Sequence, residues 1–100
     1  MKPVRILKSA QADIRSEKGY YRKISPDLAR RFHFAVESTV KAIPHQPLAM
    51  QVLEYEVRRW PIDHGFRHGV LYRVLDSEIL VLAVFHPSQN PGKWKARART

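Results

Sequence analysis

The run Ile79–Phe85, ILVLAVF, is apolar at seven consecutive positions. It falls far short of the about 20 residues needed to cross a bilayer. A strand with one wet face would alternate, and a surface helix would show a period near 3.6. An unbroken short run bounded by turn residues (Asp76, Ser77, Glu78) instead reads as a central strand covered on both sides.

The rest of the chain is organised around that strand. Val4–Leu7 reads as a short first strand. Ser9 reads as the cap of a helix running to Ile24, with Ala10, Ile14, Tyr21 and Ile24 near one face and Gly19 weakening its later part. A second helix starts at Ser25: Pro26 suits its first position and Asp27 complements its dipole. Leu28, Phe32, Ala35, Val36, Val40 and Ile43 then recur at helical spacing, and Pro44 ends the element. Helices joined this tightly form an antiparallel hairpin. After a proline-containing connection the period changes to two. EYEVRRW, residues 54–60, pairs Tyr55 with Val57 on one face. FRHGVLYRVL places Phe66, His68, Val70, Tyr72 and Val74 on one face and Arg67, Gly69, Leu71, Arg73 and Leu75 on the other. The expected fold is α+β: an N-terminal strand and an antiparallel helical hairpin packed on a mainly antiparallel sheet that ends in a three-strand meander. One domain, residues 1–100, accounts for the length, with 93–100 read as a basic tail.

Composition narrows the chemistry. There is no cysteine, which removes disulfides, thiol catalysis and cysteine zinc sites. The first residues become charged too quickly for a signal-peptide core, so a cytoplasmic protein without a membrane segment is expected. Lys and Arg number 18 against 9 Asp and Glu, a formal charge of +9. Such a surface draws polyanions or an acidic protein partner. The five histidines are dispersed, so neither a metal nor another cofactor is expected. Metal-free ribonuclease chemistry would need a base, an acid and phosphate-holding cations. His64, His68 and His86 titrate in the right range, and Arg58, Arg59, Arg67 and Arg73 carry the charge. Each also has a plainer reading: His68 at the core edge, His64 solvated, His86 in a structural hydrogen bond, and Trp94 closing a small core.

The segment from Val57 to Arg97 resembles the toxins of the bacterial RelE/ParE superfamily, and its ParE-like branch in particular. The resemblance lies in Arg58 and Arg59, then VLYRV, then ILVLAVFH ending at His86, Asn90-Pro91, Trp94 and Arg97. It extends more loosely to Ala10, Asp13 and SPDLARRF. One departure stands out: Gln89 occupies the place where relatives carry Arg, which removes a fixed charge. The ending KARART also differs from the nuclease branch, which often closes with Tyr or His-Tyr.

The resemblance implies a toxin of a type II toxin–antitoxin system that inhibits DNA gyrase by protein–protein contact rather than catalysis. It also implies a cognate antitoxin, acidic in its toxin-binding segment, and a toxin–antitoxin hetero-oligomer. Arg58, Arg59, Arg73, Gln89, Trp94 and Arg97 are then the expected target contacts. The alternative is a ribosome-dependent mRNA endonuclease of the RelE branch, using Arg58, Arg67 and Arg73 with His68 or His86 as acid or base. Gln89 also leaves open a weakly toxic, degenerate member.

Overall fold

The computed structural model describes residues 1–99. Its elements run β1 (Val4–Ile6), α1 (Lys8–Ile24), α2 (Pro26–Ala42), β2 (Arg58–Pro61), β3 (Gly69–Val74), β4 (Ile79–Phe85) and α3 (Gly92–Ala98). Short 3₁₀ turns lie at Ile43–His45 and Glu54–Glu56. The four strands are ordered β1-β4-β3-β2. Only the β1–β4 pair is parallel; the other two are antiparallel.

Ser25 makes the hairpin. Its N–H donates to the Tyr21 carbonyl, ending α1, and its hydroxyl accepts from the Leu28 N–H, opening α2. One residue thus satisfies orphan groups of both helices, and Pro26 needs no donor partner at the start of α2. Ser9 does not cap α1 as expected. Leu7 holds the cap position without a side-chain bond, and the Ser9 hydroxyl donates to the Leu82 carbonyl at 3.3 Å. Ile24 is also no core residue, being 61% exposed at the hairpin tip.

The sheet carries a separate core on each face. Ala10, Phe32, Ala35 and Val36 from the hairpin pack on Val70, Tyr72, Ile79, Val81 and Val84. On the far side Val57, Leu71, Leu82 and Ala83 pack with Trp94 and Ala98 of α3. The expectation that β4 is covered on both faces therefore holds. A bulge adjusts the alternation. Leu71 pairs with Ala83 but Tyr72 pairs with Val81, leaving Leu82 as an extra residue. Leu82 and Ala83 consequently share the α3 side, and Val84 returns to the hairpin side.

Two further expectations change. Residues 54–56 do not extend a strand: Tyr55 and Glu56 adopt left-handed φ values of 57° and 59° in the 3₁₀ turn. The Arg73 guanidinium holds the Tyr55 carbonyl through Nε and Nη2, at 3.1 and 2.8 Å, so a tertiary contact overrides the local alternation. The basic tail is likewise corrected. Residues 92–98 form a helix, because Trp94 and Ala98, one turn apart, give it an apolar stripe against the sheet. Thr100 of that expected tail lies outside the described residues. Among the described residues, no helix is long and apolar enough to cross a membrane.

Candidate functional site

The sheet brings two of the expected site histidines together. His68 precedes β3 and is only 1% exposed. Its ring lies edge-on to His86 at 4.9 Å between centroids. Tyr21, Phe32 and Phe66 surround it at 6.3, 4.9 and 6.4 Å. Glu17 Oε1 approaches His68 Nε2 to 3.2 Å, yet neither ring nitrogen makes an aligned hydrogen bond. Burial pushes the His68 pKa below its usual value; Glu17 opposes that shift, and His86 and Arg59 reinforce it. The protonated ring is therefore disfavoured. Glu17 escaped the sequence reading, although it sits one turn before Tyr21, a residue already assigned to the packed face of α1.

His86 is built into a turn. Its Nδ1 accepts from the Ser88 N–H at 3.0 Å and lies 2.8 Å from the Ser88 hydroxyl. Its own N–H donates to Gln89 Oε1 at 2.8 Å, and the Gln89 N–H donates back to the His86 carbonyl at 2.9 Å. Gln89 thus closes the turn as an acceptor, a role that Arg, which has no acceptor atom, cannot fill.

Of the arginines, only Arg59 acts on His68, and its guanidinium is engaged elsewhere. Arg58 donates to the carbonyls of Leu48 and Met50. Arg59 lies across Gly69 and donates to the Arg67 carbonyl at 2.9 Å. A Cβ at position 69 would fall 2.6 Å from Arg59 Nε, so only glycine lets the guanidinium stay there. Arg73 bridges the carbonyls of Tyr55 and Ala98. Arg97 grips both Asp13 oxygens, at 2.7 and 3.0 Å, and the Leu82 carbonyl. Trp94 is 5% exposed within the second core. Strand alternation puts Arg73 with Leu71 on the α3 side, whereas His68 packs on the hairpin side. The set expected for a ribonuclease is therefore split by the sheet. Arg67 stays exposed, and its carbonyl accepts from Arg59.

These ties produce a surface that the sequence did not reveal. Arg58 fixes the carbonyls of Leu48 and Met50, the Tyr72 hydroxyl donates to the Pro47 carbonyl at 2.7 Å, and Arg73 fixes that of Tyr55. With its backbone held, the segment leaves Leu48 65%, Val52 44%, Leu53 38% and Tyr55 39% exposed. Leu48, Val52, Glu56, Arg58 and Val74 line a cleft of about 240 Å³ there. Among the described residues, no group of three or more His, Cys, Asp or Glu is arranged to hold a metal.

A helical hairpin over a β1-β4-β3-β2 sheet, with a short helix on the other face, defines a small basic α+β domain. The same fold is found in the chromosomal ParDE TA system from P. aeruginosa, with a TM-score of 0.75 at 21% identity. That alignment covers 86% of this chain and 96% of the other. A family model described as the ParE toxin of the type II toxin–antitoxin system parDE matches residues 4–91. Toxin ParE2 of Mycobacterium tuberculosis is 31% identical over 94 residues, 93% of this chain and 89% of the relative. The chain belongs to the ParE toxin family of type II toxin–antitoxin systems.

Proposed function

We propose that the chain inhibits DNA gyrase by protein–protein contact and that a cognate antitoxin neutralises it. The observation that carries the contact mechanism is the tethered segment 47–55. Apolar side chains on a backbone fixed by Arg58, Tyr72 and Arg73 form a preorganised docking surface that loses little entropy on binding. The separation of Arg73 from His68 and His86 favours contact over cleavage. Arg58 and Arg73 then serve the target by shaping this surface, and Gln89, Trp94 and Arg97 serve it only through the fold. Gyrase as the partner rests on membership of the ParE family.

The antitoxin reading is supported by the hairpin. Ile6, Ile14, Val36 and Val40 line an apolar cleft of about 130 Å³ that His33 and Glu37 border. His33 also lines the neighbouring cleft with Lys18 and Arg22. Apolar pockets beside cations suit an acidic, amphipathic segment that orders as it binds. The P. aeruginosa relative in this fold is itself described as a ParDE system.

A supercoiling assay with purified gyrase tests the proposal. Saturating toxin stops supercoiling, and added antitoxin restores it. Leu48→Asp with Val52→Asp raises the inhibitory concentration at least about tenfold, as disruption of an interface hot spot does, while antitoxin binding persists. Undiminished supercoiling at saturating toxin rejects gyrase as the target. Cuts in ribosome-bound message, read by primer extension, would establish the endonuclease reading instead.

A further inference from the structure

A second surface lies on the hairpin layer, away from segment 47–55. Arg30 and Arg31 of α2 have side chains 73% and 61% exposed. Both lean on one carboxylate, Asp27, at 3.5 and 3.4 Å, which is itself 66% exposed. Each guanidinium therefore keeps donors free for another acceptor. Phe34 follows on the same side of the helix and is 61% exposed, an unusual position for a large apolar ring.

His64 meets the Phe34 ring edge-on at 6.0 Å. It is presented by three successive left-handed residues, Asp63, His64 and Gly65, at φ values of 57°, 57° and 86°. Asp and His enter this region more readily than most other residues, and glycine does so freely, so the sequence suits the turn that presents His64. Arg30, Arg31, Phe34 and His64 together line an open cleft of about 360 Å³.

A basic helix face is ordinarily just solvated. This one differs in carrying an uncovered aromatic ring among the cations. Guanidiniums take phosphate, and a bare ring stacks a base. A duplex hides its base faces, so only an unpaired strand can use both features. The guanidiniums and the ring address phosphate and base, the parts that DNA and RNA strands share. We propose that this face binds a single strand of nucleic acid, stacking a base on Phe34 and holding its phosphates with Arg30 and Arg31, without regard to the sugar. The contact is a docking site and involves no cleavage.

Fluorescence anisotropy with the full chain and labelled oligo-dT, oligo-U and a duplex of equal length tests it. The two single strands bind with similar affinity, and both bind more tightly than the duplex. Phe34→Ala weakens single-strand binding at least about fivefold, the lower end for removing one stacked base, and leaves the melting temperature and the salt slope unchanged. Arg30→Ala with Arg31→Ala instead flattens the salt slope by about 0.7 for each phosphate no longer neutralised. The proposal is overturned if Phe34→Ala binds like the unaltered chain, or if the duplex binds as well as the single strands. It is also overturned if a poly-glutamate peptide of equal charge displaces the strand as well as unlabelled oligo-dT does. That last result would assign the face to an acidic protein segment.

Discussion

His68 links a single residue to the stability of the whole domain. Its neighbours come from three directions: Glu17 from α1, His86 from the end of β4, and Arg59 from β2. Because its folded pKa is lowered, the unfolded chain takes up the proton first. The stabilisation is therefore present above the unfolded value of about 6.5 and is lost as pH falls through it. The stability of the unaltered chain should fall as pH drops below about 6.5 and level off once the folded His68 itself takes up the proton. His68→Gln should flatten that slope whatever it does to absolute stability, as chemical denaturation across pH would show. Equal slopes would reject the assignment. Gln89 teaches a related lesson. As a letter in the sequence it is a missing arginine, but in the structure it is the acceptor for the His86 N–H. Its identity follows from hydrogen-bond polarity as much as from charge.

At the scale of elements, Arg97 ties α3 to the far layer of the domain. Arg97 reaches across to Asp13 of α1 and to the Leu82 carbonyl, with the pair's side chains 24% and 20% exposed. Asp13 also accepts the Val84 N–H at 3.1 Å, so it ties α1, β4 and α3 together. Arg97→Ala should cost about 2 kcal/mol, the range for hydrogen bonds to partly shielded charges, and should speed amide exchange across residues 95–99 first. Unchanged exchange there would mean that the packing of Trp94 and Ala98, with Arg73 and Lys95, holds the helix without Arg97. The two long helices were legible beforehand because Ser25, Pro26 and the spacing of Phe32, Ala35 and Val36 are local signals. The third was not, because seven residues give only about two turns of pattern and four of these seven are not apolar.

At the scale of the molecule, charge and topology act together. The formal charge of +9 already counts every Asp and Glu, so internal ion pairs leave it whole, and most of those pairs are exposed. Self-repulsion therefore weakens the compact state. Raising salt from about 10 mM to about 150 mM shortens the screening length from about 30 Å to about 8 Å and should raise the melting temperature in a scanning experiment. A flat or falling response would show that the exposed pairs outweigh the repulsion.

The linear chain specified the hairpin, the central strand, the meander and the basic character, because each rests on neighbours within a turn or two. It also carried the motif from Arg58 to Arg97 that marks the family. It could not specify what covers the second face of β4, since Trp94 and Ala98 acquire that role only once β3 and β4 have paired. The same limit applied to the site. The arginines read as target contacts because their charge is visible in the sequence. The partners of Arg58, Arg59 and Arg73 are carbonyls 8 to 25 residues away, and Arg97 holds the Asp13 carboxylate 84 residues away; long-range geometry alone selects these. Folding turns Arg58 and Arg73 onto the backbone of segment 47–55, and in doing so leaves its apolar side chains outward.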